Sequence, residues 1–368
     1  MMLRTLTAAL GMALIAGTAL AQERWDGADD LPVNPLACDG GAGAMAAKDY
    51  DGGQPASPPD LSGKPITLVD VPKLIGIGYF NATSKGMQEA AKELGNVTVT
   101  TDGPTEANID EQITFIDNYI TQGVNGVLFA ANDPVAIAPV LKKALGKGIH
   151  VVGYDANSQP DAREWFVNQA EFNGIAKSMM DAMAKEIGQD KSFAIVTSTF
   201  TTPNQARWIA EMWAYTQQCY PNLKWLETVE AQEDNILSFN QAATLINKHG
   251  DDLAGLFGMT SVATPASADA VTQANLCGKV AVVGLATPNA MKPYVNADCV
   301  KSVVLWNPVD LGYAAVHVAR AAVDGKLQPG ATDVAAGKLG NLKIVNGSEV
   351  LLGPPFIYTK ENINDFDF

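Results

Sequence analysis

Two charged residues stand directly after apolar, strand-like stretches of the sequence. Lys73 follows an extended apolar segment that begins at Ile66, and Asp155 closes the strand Val151 to Tyr154. An ammonium group and a carboxylate in such positions can donate to and accept from the hydroxyl groups of a small molecule. A solvated surface lysine and a turn-capping aspartate are the alternative interpretations.

Motifs of catalysis are absent from the sequence. It contains no GxSxG, no HExxH and no phosphate-binding loop, and Gly76-Ile77-Gly78 lacks the third glycine of a dinucleotide site. The three histidines and four cysteines do not have the spacing of a metal site. We therefore predict a binding protein rather than an enzyme, without a cofactor or a bound metal.

The first residues have the composition of a secretory leader. Arg4 precedes an apolar run from Leu6 to Leu20, and Ala19-Leu20-Ala21 offers a small-x-small cleavage site. The run is too short to favour a membrane span. We predict a signal peptide over residues 1–21 and export of the mature protein through the inner membrane; a buried N-terminal helix is the alternative.

Composition and charge limit the possible partners. The 368 residues are 47% hydrophobic, enough for two packed domains, and the net charge of −15 disfavours nucleic acid. Residues 22–64 carry scattered aspartates, glycines and prolines without apolar periodicity. We predict an irregular acidic arm that is at most partly docked, with metal or partner binding as a lesser alternative.

The sequence contains four cysteines: Cys38, Cys219, Cys277 and Cys299. Cys277 and Cys299 each precede an apolar strand, so their sulfurs would lie side by side if those strands are parallel neighbours. This pair is the preferred disulfide, and Cys38 with Cys219 would follow only by elimination. Free buried thiols are the alternative.

Apolar strands alternate with amphipathic helices along most of the chain. The helix Ile109 to Gln122 stops at Gly123 and is followed by the apolar strand Gly126 to Ala131, and the same rhythm restarts near Asn173. This alternation predicts an α/β protein with two doubly wound parallel-sheet lobes and a cleft between them. Open sheets of this kind bind ligands outside the carboxyl ends of their strands.

Several segments resemble the type I periplasmic sugar-binding proteins of ABC importers, and are most similar to the autoinducer-2-binding and rhamnose-binding branch. The resemblance extends over about residues 66–368. The matching segments are Pro72–Phe80, Gly103–Glu106, Trp165–Gln169, Gly284–Tyr294, Leu305–Pro308 and Thr359–Ile363.

The resemblance implies a clamshell of two lobes that closes on its ligand by hinge motion. Lobe 1 would comprise residues 65–166 and 307–340, and lobe 2 residues 167–306 and 341–368. Three strands would cross the hinge: one near Glu164 to Asn168, one near Trp306-Asn307 and one between about 335 and 345.

It also implies a set of ligand-binding residues. Lys73 and Asp155 would face the cleft, Tyr79 and Phe80 would line it, and Trp306 would form a wall beside the amide of Asn307. Core packing is the alternative for the aromatic residues. Three further candidates lie in the second lobe: Asn204, Gln205 and Ser261.

The second lobe departs from the autoinducer-2 pattern. Asn204 stands in place of an aspartate, and Met259-Thr260-Ser261 replaces a Pro-x-Ala site. The ribose-type pattern fits less well, because Ala156 and Ala286 occupy positions of its charged groups. We therefore predict a pentose, a deoxyhexose or a polyol as the ligand.

The resemblance names the partners as well. The permease and ATPase of an importer in the inner membrane would receive the ligand from a monomeric binding protein. An autoinducer-2-type signal binder or a chemoreceptor ligand-binding protein is the alternative. A sugar-operon repressor would need a basic helix-turn-helix before the first lobe, where this sequence has an acidic arm.

Overall fold

The computed structural model describes residues 31–39 and 48–368. The predicted signal peptide lies outside these residues, as do the beginning and an internal part of the predicted arm. None of the helices in the described portion combines the length and the apolar character that crossing a membrane requires.

Most strands are short, apolar and buried, as expected for parallel sheets that are covered on both faces. The strands are β1 (Ile66–Val71), β2 (Val97–Thr101), β3 (Gly126–Phe129), β4 (His150–Tyr154), β5 (Trp165–Asn168), β6 (Ser192–Thr197), β7 (Lys224–Glu230), β8 (Gly255–Gly258), β9 (Ala281–Gly284), β10 (Ser302–Leu305), β11 (Asp333–Ala335), β12 (Asn341–Val345), β13 (Glu349–Leu351) and β14 (Phe356–Thr359).

The helices connect and cover these strands. They are α1 (Gly78–Leu94), α2 (Ile109–Gln122), α3 (Ala138–Gly146), α4 (Phe172–Ile187), α5 (Pro203–Cys219), α6 (Asn235–His249), α7 (Ala263–Gln273), α8 (Pro288–Asn296) and α9 (Pro308–Val323). Helices α1 and α2 end on Gly95 and Gly123 in the left-handed conformation, which is the usual role of a terminal glycine.

The strands form two main sheets. The larger has the order β11-β12-β13-β5-β4-β3-β1-β2, and the smaller has the order β7-β6-β8-β9. Pairing is parallel from β13 through β2 and throughout the smaller sheet. The prediction of two doubly wound α/β units is confirmed.

The third hinge crossing lies elsewhere than predicted. Instead of crossing near 335–345, β11 and β12 form an antiparallel hairpin, and β13 then pairs with β5. The crossing falls between β13 and β14, at residues 352–355. Residues 341–351 therefore pair in the larger sheet, so a boundary at residue 340 does not coincide with the division between the sheets.

Close packing of α1 against α9 positions the beginning of α1. A Cβ atom at Gly86 would lie 1.8 Å from the Val309 carbonyl oxygen, and one at Gly312 would lie 1.9 Å from that of Thr83. Only glycine permits this approach of two helix backbones. Helix α1 begins at Gly78, which places Tyr79 and Phe80 in its first turn.

The described part of the arm is irregular but docks more extensively than predicted. The Asn34 amide donates to Glu211 on α5 at 3.0 Å, and Leu36 is buried. Further along, the Gly53 amide donates to the Arg163 carbonyl at 2.8 Å. The arm therefore contacts both the helices of the smaller sheet and the residues that lead into β5.

Both predicted disulfides are present. Cys277 pairs with Cys299, and the strands that follow them, β9 and β10, are neighbours through a parallel bridge between Leu285 and Val304. Cys38 pairs with Cys219 and attaches the arm to the end of α5.

Replacing either cysteine pair by serine should destabilise the protein, and more so for the disulfide that closes the longer loop. The separations are 181 residues for Cys38–Cys219 and 22 residues for Cys277–Cys299. Chain-entropy arguments give about 5 kcal/mol for the longer loop and about 3 kcal/mol for the shorter. Urea unfolding of both variants should show the larger drop in midpoint for the arm disulfide. A wild-type midpoint for that variant would contradict the prediction.

Candidate ligand-binding site

The carboxyl ends of the two parallel sheets face each other around one cavity. The enclosed space is about 320 Å³, including its opening. The side chains around it come from both sheets and from the hinge: Lys73, Ile77, Tyr79, Phe80, Asp155, Asn204, Gln205, Trp208, Glu233, Met259, Thr260, Ser261, Leu285, Leu305 and Trp306.

Lys73 and Asp155 extend into this cavity from strand ends of the larger sheet. Lys73 follows β1, and its carbonyl accepts a hydrogen bond from the Asn132 side chain at 2.8 Å. Asp155 follows β4 with a φ of 58°, a left-handed conformation that aspartate adopts more readily than most residues. Both side chains are buried, so their charges need partners within the cavity.

Two aromatic side chains orient Asp155 through a series of hydrogen bonds. The Trp306 indole donates to the Tyr79 hydroxyl at 2.9 Å, and the Tyr79 hydroxyl donates to Asp155 Oδ1 at 2.9 Å. Tyr79 packs edge-on against Phe80 and Trp306, and Trp208 lies against the other side of Trp306. These rings form apolar walls with polar groups at defined points.

The smaller sheet contributes amide groups from the first turn of α5. The Asn204 side-chain amide donates to Asp155 Oδ2 at 3.2 Å. Gln205 is held by a hydrogen bond of 3.2 Å from Ser198, which lies at the end of β6. The loop between β6 and α5 thereby reaches across the cavity to the larger sheet.

Glu233 is the counter-ion of Lys73 and was not predicted from the sequence. It follows β7, its carboxylate forms a buried ion pair with the Lys73 ammonium, and Gln205 Nε2 donates to it at 3.4 Å. Its place after a strand of the second α/β unit is the signal that could have identified it. Lys73 Nζ also lies 3.9 Å from Asp155 Oδ2.

These contacts join the two lobes directly. Lys73 with Glu233, and Asp155 with Asn204, each pair a residue of the larger sheet's edge with one of the smaller sheet's edge. The structure is therefore a closed form of the two-lobe fold.

The structure brings all but one of the predicted site residues together. Asn307 instead caps α9, where its Oδ1 accepts from the amides of Val309 and Asp310 at 2.9 and 3.3 Å. It lines a separate recess on the other side of Trp306. Sequence patterns missed Glu233 and Trp208, and also the apolar residues Ile77, Leu285 and Leu305.

Burial changes the acidity of the cavity residues. It raises the pKa of Asp155 to about 6, although the nearby Lys73 ammonium and the Tyr79 hydroxyl act in the opposite direction. Burial and the neighbouring carboxylate raise the pKa of Tyr79 well above its usual value. Tyr79 is therefore a neutral hydrogen-bond donor at physiological pH.

Comparison with known proteins gives a family. Residues 69–327 match the model of the periplasmic binding protein domain. This range contains every residue that lines the cavity. The chain belongs to this family of periplasmic binding proteins.

Similar solved structures support the assignment. A sugar ABC transporter protein from Actinomyces odontolyticus is 31% identical, with a TM-score of 0.68 over 85% of this chain and 100% of that one. An ABC transporter solute-binding protein from Clostridium phytofermentas with bound L-rhamnose is 28% identical, with a TM-score of 0.78 over 82% and 98% of the two chains.

A curated relative matches over a shorter length. The D-ribose/D-allose-binding protein of Pseudomonas aeruginosa is 29% identical over 199 residues, which are 52% of this chain and 60% of that protein. The match thus spans less than two thirds of the relative.

Polar and aromatic groups together determine what the cavity of this periplasmic binding protein can bind. Within the described residues, no cluster of three or more histidine, cysteine or acidic side chains could hold a metal ion. The cavity instead combines carboxylates, an ammonium and amides with aromatic faces. Such a set can bind the hydroxyls and the apolar face of a small polar ring.

Ligand binding by this protein should weaken at low pH, because protonated Asp155 loses an acceptor. Lys73, Glu233 and Tyr79 are the charged or titratable groups that face it. At pH 5, about one tenth of a carboxyl with a pKa near 6 remains ionised. Titration calorimetry at pH 7.5 and pH 5 should therefore show roughly tenfold weaker binding at the lower pH.

The unliganded fold responds to pH in the opposite direction. Because the folded-state pKa of Asp155 is raised, its contribution to stability is complete below the usual value of 3.8 and is lost as the pH rises through about 6. Protonation of Asp155 at pH 5 therefore does not destabilise the fold, so weaker binding at that pH is not a result of unfolding caused by this group. Asp155→Asn should remove the pH dependence and exposed Asp251→Asn should retain it; equal wild-type affinity at both pH values would refute the assignment.

Proposed function

We propose that this protein is the solute-binding component of an ABC importer and binds a small neutral sugar or polyol, such as a pentose or a deoxyhexose. The observation that carries the proposal is the closed cavity between the two sheet edges. There, buried carboxylates, an ammonium and amides stand among aromatic walls.

The arrangement of these groups suits a hydroxylated ring. Asp155 accepts from Tyr79 and Asn204, and each of its oxygens has a further lone pair for a ligand hydroxyl. The Lys73 ammonium has three donors, so it can donate to a ligand hydroxyl as well as to Glu233. Phe80 and Trp306 offer apolar faces to the C–H side of a ring.

The comparisons support this class of ligand. The similar protein from A. odontolyticus is a sugar ABC transporter protein, and the solute-binding protein from C. phytofermentas holds a deoxyhexose, L-rhamnose. An autoinducer-2 ligand is less well supported, because Asn204 uses its amide to donate to Asp155 where the autoinducer-2 pattern has a carboxylate.

The proposed partners and location follow from the same function. The protein would work outside the cytoplasmic membrane, in the periplasm, after removal of its leader. As a monomer it would deliver the ligand to a membrane permease driven by an ATPase.

A thermal-shift screen of sugars and polyols tests the proposal. We expect at least one pentose, deoxyhexose or polyol to raise the Tm of the mature protein, because binding to the folded state alone stabilises it. Lys73→Ala and Asp155→Ala should each abolish that shift. The matched controls Lys85→Ala and Asp251→Ala replace exposed residues and should retain it.

The screen also has an outcome that refutes the function. If nucleotides, peptides or metal ions raise the Tm and no sugar or polyol does, the ligand class is wrong. If both cavity variants bind as the wild type does, the cavity is not the binding site.

Tryptophan fluorescence should report ligand binding directly. Trp208 and Trp306 line the cavity, whereas Trp225 is a buried residue of β7 and packs against Phe193. A ligand that displaces water from the cavity should shift the emission spectrum. Trp306→Phe should reduce the change substantially and Trp225→Phe should not; an unchanged response in Trp306→Phe would contradict this placement of the ligand.

A further inference from the structure

Glu233 occupies an unusual backbone position between β7 and α6. Gln232 and Glu233 have φ values of 51° and 54°, so two successive residues other than glycine are left-handed. Such conformations are unfavourable for residues with a side chain, and they concentrate at functional sites. Glycine would relieve the strain but would place no carboxylate in the cavity.

Hydrogen bonds on both sides hold this turn in place. The Ala231 amide donates to the Thr197 carbonyl at 2.8 Å, and the Gln232 amide donates to the Ser198 carbonyl at 2.9 Å. Immediately after Glu233, the Asp234 side chain caps α6 by accepting from the Leu237 amide at 2.6 Å. The backbone of Glu233 is therefore positioned from the end of β6 and from the start of α6.

The carboxylate of Glu233 is only partly used by the protein. Its Oε1 accepts from both Lys73 and Gln205. Within the described residues, no donor to Oε2 lies at hydrogen-bonding distance, although the residue is only 6% exposed. An oxygen without a protein donor, on a buried carboxylate that lines the cavity, is an acceptor for a ligand hydroxyl.

We propose that Glu233 contacts the ligand and determines its charge class: Oε2 accepts from a hydroxyl of a neutral sugar or polyol, and the carboxylate excludes sugar acids and sugar phosphates. This inference rests on the proposed function. It assigns to Glu233 the acceptor role that the autoinducer-2 pattern places at the position of Asn204.

The charges around the cavity support the exclusion of anions. Among the described residues that line it, Lys73 is the single cationic side chain, and it faces the two carboxylates of Asp155 and Glu233. Above the pKa of Asp155 the cavity thus holds an excess of negative charge. A ligand carboxylate or phosphate would add a further negative charge in a site shielded from water, where like charges repel strongly.

Glu233→Gln tests both parts of the inference, because it keeps the size of the side chain and removes its charge. Titration calorimetry would use the neutral sugar or polyol that stabilises the wild type most, and the aldonic acid with the same carbon skeleton. The wild type should bind the neutral sugar and reject the acid. Glu233→Gln should bind the neutral sugar about 10- to 100-fold more weakly than the wild type does. Its preference for the neutral sugar over the acid should be smaller than that of the wild type by a factor of about ten or more.

Glu227→Gln is the matched control. Glu227 lies on the same strand, β7, but pairs with Lys248 and His249 outside the cavity. This variant should bind both compounds as the wild type does. The Tm of each unliganded variant shows whether the protein is folded.

Each outcome is decisive. If folded Glu233→Gln binds the neutral sugar with an affinity within about threefold of that of the wild type, the inference is overturned but the proposed function stands. The same holds if the wild type binds the acid as tightly as the neutral sugar. If Glu233→Gln does not fold, Glu233→Asp retains the charge and shortens its reach. This second variant should lose affinity for the neutral sugar and still reject the acid; unchanged affinity overturns the inference. A wild type that binds no neutral sugar or polyol overturns the proposed function as well.

Discussion

The ion pair between Lys73 and Glu233 is the interaction on which the closed form depends. Both side chains are buried, and burial of an unpaired charge is strongly unfavourable, so each charge requires the other while the lobes are together. Asp155 lies beside the pair and is bound by Asn204 from the opposite lobe. When the lobes separate, water can hydrate all of these groups, so the pairing favours closure without making it irreversible. A neutral ligand with several hydroxyls can replace these mutual contacts one by one.

The scaffold makes this pairing possible by placing strand ends opposite each other. Lys73 and Asp155 follow β1 and β4, which are separated in the larger sheet by β3 alone. Gln205 and Glu233 follow β6 and β7, which are neighbours in the smaller sheet. Parallel pairing brings the carboxyl ends of each sheet to one edge, and the close approach of α1 and α9 positions the aromatic side chains beside that edge. The chemistry of the cavity is thus a consequence of sheet polarity together with a few loop residues.

The sequence predicted the parts of this arrangement that have a periodic or motif-like signal. Alternating strands and helices indicated the fold, and the position of Lys73 and Asp155 after apolar strands, together with the family resemblance, indicated the cavity. The sequence did not identify Glu233 as a cavity residue, because the polar turn that contains it resembles any surface loop until the strand order is known. Asn307 was placed in the cavity because an asparagine beside a hinge tryptophan has the same sequence signal whether it caps a helix or binds a ligand. The third crossing was misplaced because a hairpin, β11–β12, precedes the strand that returns to β5.

The arm shows a similar limit with a different physical cause. Its residues have no apolar periodicity, so nothing in their pattern indicates a docked segment; the disulfide between Cys38 and Cys219 and a series of backbone hydrogen bonds hold it instead. One part is attached to α5 beside the smaller sheet. Another contacts Arg163 and Glu164, directly before β5, which is the strand that leads from the larger sheet across the hinge. The two attachments thus lie on opposite sides of the hinge, one at the unit of the smaller sheet and one at that of the larger. The described residues of the arm therefore contact, from outside, the same two units whose facing edges the Lys73–Glu233 pair joins inside the cavity.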